Sequence, residues 1–136
     1  MSLSKLGKKV SYKYNDPLAS MIEVFPSPSS KSYNITHETE EFTSLCPITG
    51  QPDFGKIVIS YTPIKWCIES KSLKLYLGAY RMFQGFMENM ANKILDDLVL
   101  VCNPQYMNVE GIWKSRGGIK TNVSAFYESK VPWYNR

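Results

Sequence analysis

The chain has 136 residues, 43% of them hydrophobic, which is enough to form one compact domain. Its net charge of +4 suits an anionic ligand and is too small to indicate nucleic-acid binding by itself. No apolar run is long enough to span a bilayer, and the single histidine, His37, excludes a site with several histidine ligands.

The first part of the chain has the composition of a linker. Pro26, Pro28 and several nearby serines predict that residues 1–31 are loosely ordered and that residues 32–136 form a single domain. Residues 1–14 are basic and polar without an apolar centre, so they do not have the pattern of a secretory signal.

The hydrophobic pattern downstream predicts strands, then two helices, then strands. The predicted strands cover residues 33–43, 57–62, 65–68, 106–114 and 119–127, and the predicted helices cover residues 70–81 and 87–101. The last two strands are joined by a hairpin turn at residues 115–118. This order predicts an α+β domain, an antiparallel sheet with two helices on one face and with open edges that need a partner.

The three cysteines of the chain lack the spacing of a metal site. Cys67 lies in a predicted strand and Cys102 at a predicted helix end, so both are interpreted as packing residues. Reduced thiols are the expectation for such a set, and they indicate a cytoplasmic location.

Cys46 lies in a predicted turn and precedes Asp53 by seven positions. Pro47, Gly50 and Pro52 fix backbone dihedrals or remove donors, so this segment is predicted to be a turn and not a strand. A thiolate is a good nucleophile where its surroundings lower its pKa, and a nearby carboxyl can donate or accept a proton. The alternative is a buried structural cysteine beside an ordinary turn aspartate.

Lys71 and Lys74 lie three residues apart and share one face of the first predicted helix. They are interpreted as cations directed at phosphate. The alternative is a solvated basic face above the apolar stripe of Leu73, Leu77 and Tyr80.

Taken in order, these motifs resemble the QueF nitrile reductases in their short, single-module form. The resemblance is carried by Cys-Pro-Ile-Thr-Gly-Gln-Pro-Asp at residues 46–53, Glu-Ser-Lys-Ser-Leu-Lys-Leu-Tyr at 69–76, Phe-Met-Glu at 86–88 and Ser-Arg-Gly-Gly at 115–118. It implies the tunnelling fold (T-fold), whose β-barrel closes only by oligomerisation. A homo-oligomer of stacked rings, a decamer, with active sites between subunits is therefore implied.

The resemblance also implies an activity. This is the NADPH-dependent reduction of the nitrile of 7-cyano-7-deazaguanine to 7-aminomethyl-7-deazaguanine in queuosine biosynthesis. Cys46 is implied as the nucleophile that forms a covalent thioimide with the nitrile carbon, and Asp53 as the proton donor to the nitrile nitrogen. Asp53 then has to be protonated at neutral pH, which burial promotes.

Substrate and cofactor ligands follow from the same resemblance. Glu88 is implied as the anchor of the deazapurine, because a carboxylate can accept hydrogen bonds from an adjacent ring N–H and amine. Phe86 would pack on the ring, and Glu69 and Ser70 match pocket positions at the start of the first helix. The implied NADPH ligands are Lys71, Lys74 and Arg116.

One position departs from the family pattern. The family usually has Phe-His-Glu where this chain has Phe86, Met87 and Glu88. Methionine is no useful proton donor, so the departure bears on the rate or the outcome of the reaction. The distant His37 is expected to be a surface residue of a strand and not a replacement.

Two other functions stay open. One is a QueF-like amidine-forming transferase, which attacks the same nitrile and adds ammonia in place of hydride, on the base in tRNA or DNA. Such relatives tend to lack the lysine motif, which this chain keeps at Lys71 and Lys74. The other is a non-catalytic module that binds the deazapurine through Cys46 and Glu88, against which the retention of Asp53 argues.

Overall fold

The computed structural model describes residues 3–9 and 14–131, which form two antiparallel sheets and two helices. In chain order the elements are β1 (Val24–Pro26), β2 (Ile35–Leu45), β3 (Pro52–Thr62), β4 (Trp66–Ile68), α1 (Ser70–Gly78), α2 (Met87–Cys102), β5 (Tyr106–Trp113) and β6 (Asn122–Glu128). A short 3₁₀ helix, Ala19–Met21, precedes β1. The predicted α+β class is confirmed.

The larger sheet has the strand order β2-β3-β5-β6, and all neighbours in it are antiparallel. Strands β2 and β3 form a hairpin, whereas the connection from β3 to β5 contains β4 and both helices. Buried residues alternate with more exposed ones along β3 and β5, so one face of the sheet meets the core. The smaller sheet pairs β1 with β4.

Both helices cover the buried face of the larger sheet. Helix α2 packs against β5 and β6, and α1 lies closer to β2. Met90, Ile94 and Leu98 recur at helical spacing along α2 and are fully buried. Each such apolar side chain contributes about 1.5–3 kcal/mol by leaving water. The helix ends at Cys102 and is capped by Asn103, whose φ of 46° is left-handed.

A buried polar network joins the two helices. The Tyr76 hydroxyl donates to Asp97 Oδ2 at 2.5 Å and is 2.7 Å from the Tyr80 hydroxyl. Lys93 Nζ donates to the same Asp97 oxygen at 2.8 Å. Burial raises the pKa of Tyr76 and of Tyr80, so both phenols stay protonated. The network fixes α1 against α2 and therefore fixes the segment between them.

The hairpin of β5 and β6 has a fixed register against β3. Trp113 lies opposite Gly55, and the Lys114 N–H donates to the Phe54 carbonyl at 2.9 Å. The buried Trp113 ring fills the space over Gly111, where an added Cβ would come within 2.1 Å of Cζ3. Only glycine permits this close approach.

Several element bounds differ from the predicted ones. Strand β3 begins at Pro52, so Pro52 and Asp53 lie in a strand and the prediction that they belong to the turn was wrong. Proline is tolerated there because it is the first residue of the strand. Helix α1 ends at Gly78, before the predicted residue 81, and β6 begins at Asn122, after the predicted residue 119.

Part of the segment at residues 1–31 forms regular structure. Strand β1 pairs with β4, and Ile22 and Val24 are buried in the core. Residues 1, 2 and 10–13 lie outside the described residues. The division of the chain between residues 31 and 32 stays a prediction.

Strands β2 and β6 are the edges of the larger sheet. Each leaves backbone N–H and C=O groups without a strand partner on one side. Closure of the sheet into a barrel by oligomerisation stays a prediction. Within residues 3–9 and 14–131, no helix is long and apolar enough to cross a membrane, and no cluster of His, Cys, Asp or Glu is arranged to hold a metal ion.

Candidate active site

The Cys46 loop, residues 46–51, connects β2 to β3. The Cys46 N–H donates to the Gln51 carbonyl at 2.9 Å, and the Gly50 N–H donates to the Cys46 carbonyl at 2.9 Å. Leu45 and Pro52, which flank the loop, are paired in the sheet. The cysteine therefore lies at the base of a tight turn that is closed on both sides.

The Cys46 thiol is half-exposed. The Thr49 hydroxyl, the Thr49 N–H and the Ile48 N–H lower the pKa of Cys46 from its usual 9.0 to about 7, while slight desolvation and the Asp53 charge oppose this shift. A thiol with that pKa is about half ionised at neutral pH and reacts as a thiolate. Cys102 contrasts with it, because burial raises the pKa of that thiol to about 12.

Asp53 lies in the second position of β3, opposite Ser44, and is only 5% exposed. Its Oδ1 accepts a hydrogen bond from Arg116, which also donates to the Gln51 side-chain oxygen at 2.9 Å. Arg116 stands in the turn between β5 and β6. The hairpin tip thus bonds both to the carboxylate and to the Cys46 loop.

The segment before α2 lies beside the same loop. The Leu45 N–H donates to the Phe83 carbonyl at 3.0 Å, and the Gly85 N–H donates to the Leu45 carbonyl at 3.0 Å. These bonds hold the segment that leads into the exposed Phe86 and α2 beside Leu45, the residue before Cys46.

The first turn of α2 presents two side chains of opposite character. Glu88 is exposed, and its carboxylate has no hydrogen-bond partner within the part of the chain that the structure describes. Met87 is partly buried and packs against the hydrophobic core. The position where the family usually has histidine is therefore occupied by a packing residue.

Glu69 and Ser70 begin α1. Glu69 is 4% exposed and is the N-cap of the helix, since its two carboxylate oxygens accept from the Lys71 and Ser72 N–H groups at 2.7 Å each. Ser70 is exposed. The carboxylate of Glu69 is thus already bonded within its own helix, whereas the Ser70 hydroxyl is accessible.

A cavity of ≈ 490 Å³ lies between α1 and strand β2. Ser70, Lys74 and Arg81 contribute polar groups, and the lining also includes apolar side chains of the core. Lys71 points elsewhere, since its Nζ donates to the Lys8 carbonyl. Of the described residues, those that line the cavity do not include Cys46, Asp53 or Arg116.

The predicted site residues therefore fall into two groups in one chain. The Cys46 loop, Asp53, Arg116 and the start of α2 come together, while Lys74 and Ser70 line the cavity beside α1. Arg116 lies with the first group, although the sequence assigned it together with the lysines.

Three side chains near these groups were missed or misjudged. Thr49 lowers the pKa of Cys46, and Gln51 bonds to Arg116. A hydroxyl residue three positions after a turn cysteine is a recognisable signal, because Ser and Thr often bond to nearby groups in turns. His37 was expected on the surface of a strand. It lies in β2 but is half-buried and lines the cavity, and burial lowers its pKa. Its Nε2 has no hydrogen-bond partner among the residues that the structure describes.

The described fold also occurs in a solved protein. The structure of the archaeosine synthase QueF-Like in the apo form has a TM-score of 0.64 to this chain, with 22% sequence identity over 78% of this chain and 100% of that chain. The fold and the loop with its ionisable thiol thus define a class: an α+β domain of that architecture with a candidate nucleophilic cysteine.

Sequence comparison defines the family. The model of QueF-like proteins matches residues 52–132. A protein of Helicobacter pylori (strain HPAG1), named NADPH-dependent 7-cyano-7-deazaguanine reductase, is 50% identical over 133 residues, covering 96% of this chain and 88% of that protein. Proteins of the same name are 49% identical over 109 residues in Elusimicrobium minutum (80% of this chain, 83% of that protein) and 43% identical over 124 residues in Nitratidesulfovibrio vulgaris (strain DP4; 90% and 75%). The chain belongs to the QueF family.

Proposed function

We propose that this protein reduces the nitrile of 7-cyano-7-deazaguanine to the aminomethyl group with NADPH. The observation that carries the proposal is the Cys46 thiol, whose pKa is lowered to about 7, next to the buried carboxyl of Asp53. Relatives 43–50% identical to this chain carry the name of that activity. A nucleophile and a proton carrier are the two groups that covalent reduction of a nitrile requires.

The first step uses the thiolate of Cys46. Its sulfur adds to the nitrile carbon, the electron pair of one C–N π bond moves to nitrogen, and nitrogen takes a proton to give a thioimide. Asp53 is the proposed source of that proton. Addition is useful because a nitrile is a poor hydride acceptor, whereas a protonated C=N group is electrophilic.

Later steps regenerate the thiol. When bound, NADPH supplies the two hydrides that convert a nitrile to a primary amine. After the first hydride has reached carbon, the C–S bond breaks, sulfur keeps the electron pair, and the nitrogen lone pair forms an imine. A thiolate with a pKa near 7 is a good leaving group, so the property of Cys46 that favours addition also favours its departure.

Arg116 connects proton donation to ligand binding in this proposal. Its guanidinium donates to Asp53, and a guanidinium has no acceptor, so Asp53 Oδ1 is an acceptor in this arrangement. A proton that Asp53 donates is therefore carried on Oδ2, the oxygen that does not accept from Arg116. Arg116 is also the proposed ligand of an anionic cofactor, so one side chain links the acid to the proposed cofactor site.

Substrate recognition is proposed for the start of α2. The exposed Glu88 carboxylate, free of other partners in the described ranges, accepts hydrogen bonds from the deazapurine, and the exposed Phe86 ring packs on it. Ser70 stays a proposed pocket residue. Glu69 also stays one, with its N-cap bonds as the role that its geometry supports.

The residues of α1 and the hairpin fit an anionic dinucleotide. Lys74 and Arg81 line the ≈ 490 Å³ cavity together with the acidic Glu38 and Glu41. The two cations are the groups that would bind phosphate, and apolar residues of the lining such as Leu73 and Ile57 would contact a ring. Lys71, Lys74 and Arg116 remain the proposed NADPH ligands. Lys71 has to release the Lys8 carbonyl to take part.

A homo-oligomer would complete the site. Lys74 and Arg116 belong to separate groups of one chain, so the proposed cofactor site needs a second copy to bring a cavity next to a Cys46 loop. Two further observations support assembly. Edge strand β6 exposes Phe126 at 70%, and Ile48 in the Cys46 loop is 78% exposed. Stacked rings, a decamer, and a cytoplasmic location are part of the proposal.

The test mixes purified protein with 7-cyano-7-deazaguanine and NADPH. Nicotinamide absorbance and intact protein mass are followed together, with Cys46→Ala as the control. Oxidation of two NADPH per nitrile is the expected result. An adduct on Cys46 without NADPH oxidation would contradict reduction and support the amidine-forming reaction. Absence of both would contradict nitrile chemistry altogether.

A further inference from the structure

Tyr14 lines the cavity beside α1, although it belongs to the segment that precedes β1. Its carbonyl accepts a hydrogen bond from the Met82 N–H, which holds the backbone of this segment against the end of α1. Arg81 lines the same cavity, and its Cζ lies 5.7 Å from the centroid of the Tyr14 ring. An aromatic ring and a planar guanidinium therefore lie together in the cavity wall.

The polar groups of the lining change in character along α1. Ser70 is the first residue of the helix, Lys74 lies about one turn later, and Arg81 follows the helix end at Gly78. A helix rises 1.5 Å per residue, so the two ends of α1 are about 12 Å apart. A ligand that lies along α1 therefore meets a cation midway and the pair of Tyr14 and Arg81 at the far end.

Strand β2 forms the opposite side of the cavity and contributes two acids, Glu38 and Glu41. Glu38 forms an ion pair with Lys56. Carboxylates repel phosphate but accept hydrogen bonds from amines and hydroxyls. Adenosine carries donors of both kinds, the exocyclic amine of its base and the hydroxyl of its sugar. The side of the cavity formed by β2 thus suits a nucleoside better than a phosphate.

We propose that Tyr14 and Arg81 bind the adenine ring of NADPH and that Lys74 is placed to bind its phosphates. This inference rests on the proposed function and names the residues that recognise the adenosine half of the cofactor. A heteroaromatic ring stacks both on an aromatic side chain and on a guanidinium plane. Tyr14 is 41% exposed and Arg81 is exposed as well, so both are accessible to such a ring.

The deazapurine of the substrate is also a flat ring, but it fits this place less well. Its nitrile carbon has to come within bonding distance of the Cys46 sulfur, and the lining, among the described residues, includes neither Cys46 nor Glu88. The adenine ring of a dinucleotide lies far from the carbon that gives up the hydride. It is therefore the ring that can be bound away from the reacting atoms.

The experiment measures binding without turnover. Dissociation constants are determined by titration for NADPH and for adenosine 2′,5′-bisphosphate, which contains the adenosine half and lacks the nicotinamide. The proteins compared are the wild type, Tyr14→Leu, Tyr14→Phe and Arg81→Lys. Tyr106→Leu is the matched control, because Tyr106 is 39% exposed at the start of β5 and does not line the cavity.

Tyr14→Leu is expected to weaken the binding of both ligands by the same factor, about fivefold, since the lost contact is to the part that they share. Arg81→Lys keeps the charge but loses the planar group, so we expect both ligands to bind about threefold more weakly. Tyr14→Phe keeps the ring, and with Tyr106→Leu it is expected to bind both ligands as the wild type does.

Several results would overturn the inference. One is a wild type that binds NADPH but not the adenosine fragment, and another is a Tyr14→Leu protein in which only NADPH binds more weakly. An equal loss in Tyr14→Phe would do the same, because the hydroxyl and not the ring would then be responsible. A raised KM for the nitrile with unchanged NADPH binding in Tyr14→Leu would place the deazapurine in this cavity.

Failure of the proposed function gives a different result. If both ligands bind with the expected dependence on Tyr14 while the nitrile is not reduced, the proposed reaction fails and the adenosine site stands. If two NADPH are oxidised per nitrile and Tyr14→Leu binds both ligands like the wild type, the reaction stands and the adenosine site fails.

Discussion

The Cys46 loop and the first turn of α1 carry the two most distinctive motifs of the chain, yet their polar groups are used differently. In the loop, backbone and hydroxyl donors lower the pKa of a half-exposed thiol. At the start of α1, Glu69 is buried, and both of its carboxylate oxygens accept hydrogen bonds from N–H groups of its own helix. The loop leaves the Cys46 thiol partly accessible, whereas the Glu69 carboxylate is already bonded within α1.

The difference shows that a motif can combine stability and chemistry in separate residues. Glu69 and Ser72 secure α1, and Ser72 also donates to the Glu69 carbonyl at 2.9 Å. The same helix turn presents Ser70 and Lys74 to the cavity. Substitutions of neighbouring residues in one motif can therefore have different effects, on stability at one position and on ligand binding at the next.

The largest effect is expected for Cys46→Ala. The variant should fold, since the thiol is half-exposed, and should lose turnover by at least ~10³-fold because no other described cysteine is accessible. Intact mass after incubation with the nitrile should show no adduct. An adduct on the variant would remove Cys46 as the nucleophile.

Asp53→Asn is expected to separate turnover from thiol reactivity. Loss of the proton donor should slow reduction by about 10²-fold. The Asp53 charge raises the pKa of Cys46, so its removal lowers that pKa and speeds alkylation of the thiol by iodoacetamide at pH 6 to pH 7. Parallel losses of both rates would instead indicate that the ion pair with Arg116 only holds the loop together.

Lys74→Met is expected to act on cofactor binding alone. Removal of one cation from the cavity rim should raise the KM for NADPH about tenfold, with little change in kcat or in thiol alkylation. The exposed Lys65, whose carbonyl accepts from the Ser27 N–H, offers the control Lys65→Met. Equal KM values for the two variants would argue against a cofactor at this cavity.

The smallest effect is expected from the two acids at the helix starts. Glu69→Ala should lower the free energy of unfolding by about 0.5–2 kcal/mol, because it removes the N-cap of α1. Glu88→Ala should change stability less and raise the KM for the nitrile instead. Denaturant unfolding and steady-state kinetics of both variants check the pair, and a stable Glu69→Ala protein with weak nitrile binding would reverse the assignment.

The sequence was sufficient to predict the elements in which apolar residues recur with a strong periodicity. Helix α2 was predicted within one residue of its end, since apolar residues at helical spacing and the Asn103-Pro104 stop are local signals. The boundary between the Cys46 loop and β3 was not predicted, because a proline at the first position of a strand cannot be told from a turn proline by sequence alone. Strand β1 was missed because its three residues acquire order only by pairing with β4.

The sequence singled out candidate site residues, but it did not reveal how they are arranged. Cys46 and Asp53 were singled out by residue type and spacing. The bond between Arg116 and Asp53 joins residues 63 positions apart, which no local pattern reveals. The role of Glu69 as a cap depends on its burial, and burial is set by the packing of α1 against the rest of the core.

The tight packing of Trp113 over Gly111 has a practical consequence for redesign. The Trp113 indole fixes the register of β5 against β3. We therefore expect that the turn beyond Lys114 can be replaced while the paired strands stay in place. Tips of other lengths and sequences can be exchanged there without a slip of strand register. The residue that reaches Asp53, Arg116, is therefore open to library selection, which would test its proposed role in cofactor binding.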